Sequence, residues 1–88
     1  MSVFKVEFAP PAERDLKRLN PKIRLQLLRA SRVLQEAPYP GTSARVKVLV
    51  GIIERHFRLR VGDYRIVYRI EGPRVIVVRV AHRREAYR

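Results

Sequence analysis

The sequence predicts an α+β fold: an N-terminal strand, a helical hairpin, and then an antiparallel sheet packed on the helices, all in one domain spanning residues 1–88. Three observations carry this prediction. Apolar residues recur at helical spacing only between Ala12 and Leu34. From Ala44 onward the pattern changes to strict alternation, the period of a half-buried strand. The alternating runs are joined at Gly62-Asp63 and Gly72-Pro73, turns too short for anything but antiparallel neighbours. A chain of 88 residues holds one modest core and not two.

The first element is a strand over Val3–Phe8, with Phe4, Val6 and Phe8 on one face, and Ala9-Pro10-Pro11 stops it. Pro11 suits an early helical position, where its missing N–H is not needed, and Glu13 and Asp15 suit the positive end of the helix dipole. Ala12, Leu16 and Leu19 form the inward stripe of this short helix. Asn20-Pro21 reads as a cap followed by a first-turn proline, so a second helix starts at once. Its core face is Ile23, Leu27, Ala30 and Leu34, widened by Leu28 and Val33, with Arg24, Arg29, Arg32 and Glu36 pointing away. It ends before Pro38, and residues 38–43 form the one loop of any length.

The strands follow. Val46, Val48 and Val50 alternate with Arg45, Lys47 and Leu49, and Gly51 breaks or bulges the run. Then come Arg55–Val61, Tyr64–Ile70 and Val75–Ala81. A two-residue turn at Gly62-Asp63 sets Val61 opposite Tyr64, Arg60 opposite Arg65, Arg58 opposite Val67 and His56 opposite Arg69. Phe57, Leu59, Tyr64, Ile66 and Tyr68 then face the helices. The same simple register puts Arg79 on that face too, which requires either a partner in Glu7 or Glu13 or a bulge that shifts the last strand. The other face carries His56, Arg58, Arg60, Arg65 and Arg69 beside Ile76, Val78 and Val80, and reads as the floor of a groove.

Charge points to the partner class. The net charge is +12, and 16 of the 20 basic residues are Arg, the side chain that grips phosphate bidentately and stacks on bases. Residues 1–44 carry 8 basic and 4 acidic groups and residues 45–88 carry 12 and 4, so the positive field concentrates in the strands. Setting Arg60 directly against Arg65 lowers stability unless an anion lies between them. The chain has no Cys, two His and no acid pair, nucleophile triad, phosphate loop or metal-ligand spacing, so no metal or other cofactor is expected. No secretory leader or membrane-length apolar run is present, which reads as a soluble, cytoplasmic protein.

What remains is a set of cations with histidines and tyrosines. Cleavage of RNA by its own 2′-hydroxyl needs that hydroxyl activated, an in-line approach, stabilisation of a dianionic phosphorane and protonation of the leaving 5′-oxygen. Arginines supply the stabilisation, which is commonly the largest electrostatic contribution, and no metal is required. Tyr64 and Tyr68 read as core aromatics, and His82 as a residue that holds backbone or a charged neighbour.

The run Arg58-Leu59-Arg60-Val61-Gly62-Asp63-Tyr64-Arg65-Ile66-Val67-Tyr68, the closing Ala81-His82-Arg83-Arg84-Glu85-Ala86-Tyr87 and the opening Phe8-Ala9-Pro10 together resemble the RelE/ParE superfamily of toxins from type II toxin–antitoxin systems, and the RelE branch within it. The resemblance covers nearly the whole chain. It implies a RelE-like, microbial RNase-like fold and a toxin that enters the ribosomal A site and cuts the bound messenger, leaving a 2′,3′-cyclic phosphate and a 5′-hydroxyl. It also implies a small acidic, RelB-like antitoxin that wraps the toxin in a hetero-oligomeric complex.

Carried onto this chain, the resemblance assigns Arg65 and Arg83 to the scissile phosphate and Tyr87 to the 2′-hydroxyl and base stacking. Arg58 falls at the leaving oxygen. The best-known members have lysines where this chain has His56 and Arg58; since Arg is a poor proton donor, both remain candidates for the general acid. Arg45, Lys47, Arg60, Arg69, His82 and Arg84 are assigned to RNA or ribosome binding. Two other functions fit the same composition: a ParE-like, non-catalytic inhibitor of DNA gyrase, and a non-catalytic RNA-binding module.

Overall fold

The computed structural model describes residues 4–39, 46–49, 56–82 and 84, with backbone alone for 46–49. The order is β1 (Lys5–Phe8), α1 (Pro10–Lys17), α2 (Pro21–Ser31), a 3-10 turn (Arg32–Gln35), β2 (Val46–Leu49), β3 (His56–Val61), β4 (Tyr64–Glu71) and β5 (Arg74–His82). The strands form one sheet in the order β1-β5-β4-β3-β2. Strands β2 to β5 make the expected antiparallel meander. The pairing of β1 with β5 is parallel, so the helical hairpin is the crossover between them, and the sheet is mixed.

The β3–β4 and β4–β5 hairpins each turn on a glycine with positive φ, 58° at Gly62 and 56° at Gly72. A positive φ at the first central residue followed by a negative one is the pattern of a two-residue hairpin turn, and Pro73 fits the second place because its ring already fixes φ negative. The first turn gives the expected register, Val61↔Tyr64, Arg60↔Arg65 and Arg58↔Val67. Leu59, Ile66, Tyr68, Val75 and Val77 are fully buried with Ala12 and Leu34, beside Leu16, Leu27 and Phe57. Phe4, Val6 and Phe8 of the first strand pack against this cluster, as their alternation requires.

Helix α1 opens with Pro10 and Pro11 at its first positions, and the Asn20 side chain caps α2 by accepting from the Lys22 amide at 2.8 Å. Arg24 does not point away from the protein. Its Nε donates to the Leu16 carbonyl at 2.9 Å and a terminal nitrogen donates to the Leu19 carbonyl at 3.0 Å. A cation at this place meets both the orphan carbonyls and the negative end of the α1 dipole, so α2 caps the helix that precedes it.

The apolar face of α2 is narrower than its sequence suggests: Leu28 is 37% and Val33 41% exposed. The helix stops at Ser31, whose hydroxyl donates back to the Leu28 carbonyl at 2.7 Å, and the next residues wind as a tighter 3-10 turn. That change of phase keeps Leu34 fully buried while Val33 turns outward.

The last strand resolves the position of Arg79. A register shift lies between Val67 and Tyr68: Tyr68 pairs with Val77 but Val67 pairs with Arg79, so Val78 is the extra residue of a bulge. Val80, not Arg79, then stands opposite Ile66 and joins the core, which corrects its expected place on the groove floor. The acid that meets Arg79 is Asp15, at 2.8 Å, rather than Glu7 or Glu13; Glu7 pairs with Arg74.

Candidate functional site

The sheet face away from the helices gathers the strand cations. In β3, His56, Arg58 and Arg60 alternate with the buried Phe57, Leu59 and Val61. Arg65, Val67 and Arg69 of β4 have the same parity, because their neighbours Ile66 and Tyr68 are in the core. Arg60 stands directly opposite Arg65, and Arg58 opposite Val67, so Arg58 and Arg65 are diagonal neighbours, roughly 7–8 Å apart across the hairpin. Lys47 of β2 is the register partner of Arg58. Ile76, the register partner of Arg69, is buried on this face and gives the floor an apolar patch.

Several ion pairs gather at the Gly72 end, while Asp15 meets Arg79 further along β5. At the Gly72 end, Glu71 binds Arg69 and Arg74, and Arg74 also reaches Glu7. Arg69, expected to contact RNA, therefore shares its charge with Glu71. At the Gly62 end lie Arg58, Arg60 and Arg65, and Arg60 is exposed with no ion-pair partner among the described residues. Arg58, Arg60 and Arg65 thus lie toward the end of the sheet at which β5 finishes.

His82 ends β5 opposite Tyr64, with the rings edge to face at a centroid distance of 5.4 Å. Its Nδ1 accepts from the Arg84 amide at 3.3 Å, so in the neutral ring the proton sits on Nε2. Tyr64 and His82 also line a cleft with Asp15, Leu19 and Arg79, beside the α1 end of the sheet. Tyr64 packs, partly buried, against the core as the sequence suggests, but its pairing with His82 was not expected; counting the bulge into the register would have paired them. Tyr68, by contrast, is a structural residue. It is fully buried, its hydroxyl donates to the Pro38 carbonyl at 2.6 Å, and burial pushes its pKa far above the ordinary phenol value. Arg45, Arg83 and Tyr87 lie outside the described residues, as does the side chain of Lys47.

Comparisons with known proteins bear on the family and the fold. A family model for the ParE toxin of type II toxin–antitoxin systems, parDE, matches residues 6–87. Among solved structures, a chain of the Mycobacterium tuberculosis toxin–antitoxin complex RelBE2 is 30% identical with a TM-score of 0.77, over 90% of this chain and 96% of that one. A chain of the Methanococcus jannaschii RelB–RelE antitoxin–toxin complex is 29% identical with a TM-score of 0.69, over 91% and 93%. A free double arginine mutant of the Escherichia coli toxin RelE is 27% identical with a TM-score of 0.69, over 98% and 87%. A search of curated proteins returned no match. With a family model matched over almost its whole length and the same fold in RelE chains, this protein belongs to the ParE toxin family of type II toxin–antitoxin systems, within the RelE/ParE superfamily.

Proposed function

We propose that this chain is a toxin of the RelE type: a ribosome-dependent endoribonuclease that cuts messenger RNA in the A site and so stops translation in the cytoplasm. The observation that carries this reading is the placing of Arg58 and Arg65 as diagonal neighbours on one face, toward the end of the sheet at which β5 finishes. Its likeness to RelE chains at 27–30% identity supports the same branch.

In this reading the message lies along the cationic face. Arg65 and Arg83 bind the scissile phosphate and stabilise the charge that builds on it, in surroundings where fixed donors need no reorganisation during the reaction. Tyr87 orients the 2′-hydroxyl or, as the phenolate, takes its proton. The 2′-oxygen attacks phosphorus, the bond to the 5′-oxygen breaks, and the products are a 2′,3′-cyclic phosphate and a 5′-hydroxyl. The leaving oxygen takes its proton beside Arg58, with His56 two residues away on the same strand as the imidazole donor. The chemistry is metal-independent, since arginines meet the charge of the transition state. Arg45, Lys47, Arg60 and Arg84 add contacts to RNA and ribosome that carry no sequence information. An acidic antitoxin covers the same face in the resting complex, as RelB accompanies RelE in the solved complexes.

The test is to map RNA ends after induction. Wild type gives 5′-hydroxyl ends in messenger held at the A site, and Arg65→Ala or Arg83→Ala lowers their yield by about 10²–10³-fold with folding intact. Growth arrest that survives both substitutions would place the target elsewhere. The alternative target is DNA gyrase, which the resemblance to ParE-like toxins implies. Inhibition of supercoiling by the purified protein, with messenger left intact, would establish that alternative.

A further inference from the structure

Arg79 takes no part in the chemistry proposed above, and its place follows from the Val78 bulge. Val80 turns into the core, so Arg79 belongs to the opposite face, with Val67 and Arg58. The register sets Lys47, Arg58, Val67 and Arg79 in one row across the sheet. β1 pairs with β5 only as far as Val77, so among the described strands none lies beside Arg79 on that side. The Arg79 side chain reaches over this edge to Asp15, whose two carboxylate oxygens accept from its Nε at 2.8 Å and from a terminal nitrogen at 3.3 Å.

Asp15 orients the guanidinium without burying it. The Arg79 side chain is 59% exposed and that of Asp15 only 11%, so an incoming anion meets the cation first. A guanidinium already held in one direction loses less rotamer freedom when it binds. Asp15 also accepts the Val80 amide, so an added strand cannot take that edge donor, and recognition here falls to side chains. Beside Arg79 lies the cleft shared with Tyr64, about 290 Å³ in volume, and Arg18 lines it from the C-terminal end of α1. Arg18 is exposed and has no ion-pair partner among the described residues. Leu19 and Tyr64, both packed against the core, give the cleft an apolar wall. Two cations beside an apolar wall suit one nucleotide unit, the phosphate at the guanidinium groups and the sugar or base on the wall.

We propose that this cleft is a further RNA subsite, with Arg18 and Arg79 as its phosphate ligands. It binds one nucleotide of a strand that has crossed the cationic face and passed over the β5 edge. The subsite lies apart from the reacting residues, so it adds affinity and sets the side on which the strand leaves the face. The inference rests on the reading of RNA as the ligand of that face, and not on cleavage.

The test uses the full chain and a fluorescein-labelled single-stranded RNA without ribosomes, with affinity read by anisotropy across a series of salt concentrations. Arg18→Gln and Arg79→Gln are each expected to make the slope of log affinity against log salt shallower by about 0.7, and the double variant by about 1.4. Arg29→Gln removes an exposed cation of α2 that does not line the cleft, and leaves the slope unchanged. On addition of RNA the amides of Val80 and Ala81, which line the cleft, shift in the NMR spectrum of wild type and not in that of the double variant.

Wild-type slopes in both single variants overturn the inference. An equal loss in Arg29→Gln also overturns it, since net charge alone would then be felt. Unchanged RNA binding with weakened binding of a Glu-rich peptide assigns the cleft to an acidic protein partner instead. A wild-type chain that binds RNA through Arg18 and Arg79 but leaves A-site message uncut sinks the nuclease reading and leaves the subsite standing. One that binds no single-stranded RNA sinks both.

Discussion

Asp15 and Arg79 meet at the edge of β5 where β1 leaves it: the Arg79 Nε donates to Asp15 Oδ2 at 2.8 Å, and the same oxygen accepts the Val80 amide at 2.9 Å. The pairing of β1 ends at Phe8↔Val77, and the Ala9 amide bonds to the Val77 carbonyl, so Val80 is the edge donor that the departing strand no longer reaches. The two bonds differ in worth. The Arg79 side chain is 59% exposed, so solvent screens the ion pair, whereas Asp15 is 11% exposed and its bond to the backbone is shielded. Asp15→Ala is expected to cost about 1–3 kcal/mol in urea unfolding and Arg79→Ala less than about 1 kcal/mol, with Asp15→Asn between them because its amide oxygen still accepts from Val80. Equal losses for the two alanine variants would show that the ion pair, not the amide bond, holds α1 to the sheet.

Those contacts also mark what sequence reasoning reads well and what it misses. The Gly62-Asp63 hairpin, its register and the Asn20 cap are local consequences of turn and capping chemistry, so they follow from a few adjacent residues. The shared face of Arg58 and Arg65 follows from the same register. The bulge at Val78 does not, because nothing in the alternation of β5 marks the extra residue; the only sign was the misfit of Arg79. Arg24 as a cap for α1 and β1 as the parallel partner of β5 are decided by how the hairpin folds back, a long-range outcome with no local signature. The exposure of Val33 follows from the end of α2 at Ser31, after which the chain tightens into a 3-10 turn.

Tyr68 gives a prediction in pH. Its ring stacks on Phe57 with centroids 5.7 Å apart, and its hydroxyl satisfies the Pro38 carbonyl, so it ties the segment after the 3-10 turn to the sheet. Burial raises its pKa in the folded state, so the native state keeps the proton that an unfolded chain releases near its ordinary value of 10.0. The native state then binds more protons than the unfolded one above that pH, and stability falls as pH rises; below it, Tyr68 contributes no pH dependence. Tyr68→Phe should lose about 1–2 kcal/mol at neutral pH, through the stranded carbonyl, and should flatten the alkaline limb of the stability curve relative to wild type. Parallel alkaline limbs in the two proteins would refute the assignment.

Arg60 and Arg65 are register partners with the same charge, yet they are assigned different work, and substitution separates the two roles. Removing Arg60 deletes a directly opposed like charge from the hairpin, so Arg60→Ala should raise stability by about 0.2–1 kcal/mol in urea unfolding at low salt, and the gain should shrink as salt screens the pair. On the nuclease reading the same substitution removes one contact to the RNA backbone. The slope of log affinity against log salt for single-stranded RNA should become shallower by about 0.7, with cleavage per bound message changed little. Arg65→Ala relieves the same repulsion but also removes the contacts of a half-buried side chain, so its stability gain should be smaller than that of Arg60→Ala, and on the nuclease reading it is accompanied by loss of cleavage. If Arg60→Ala abolishes cleavage while Arg65→Ala leaves it intact, the phosphate-stabilising role belongs to β3 and the assignment along this pair is reversed.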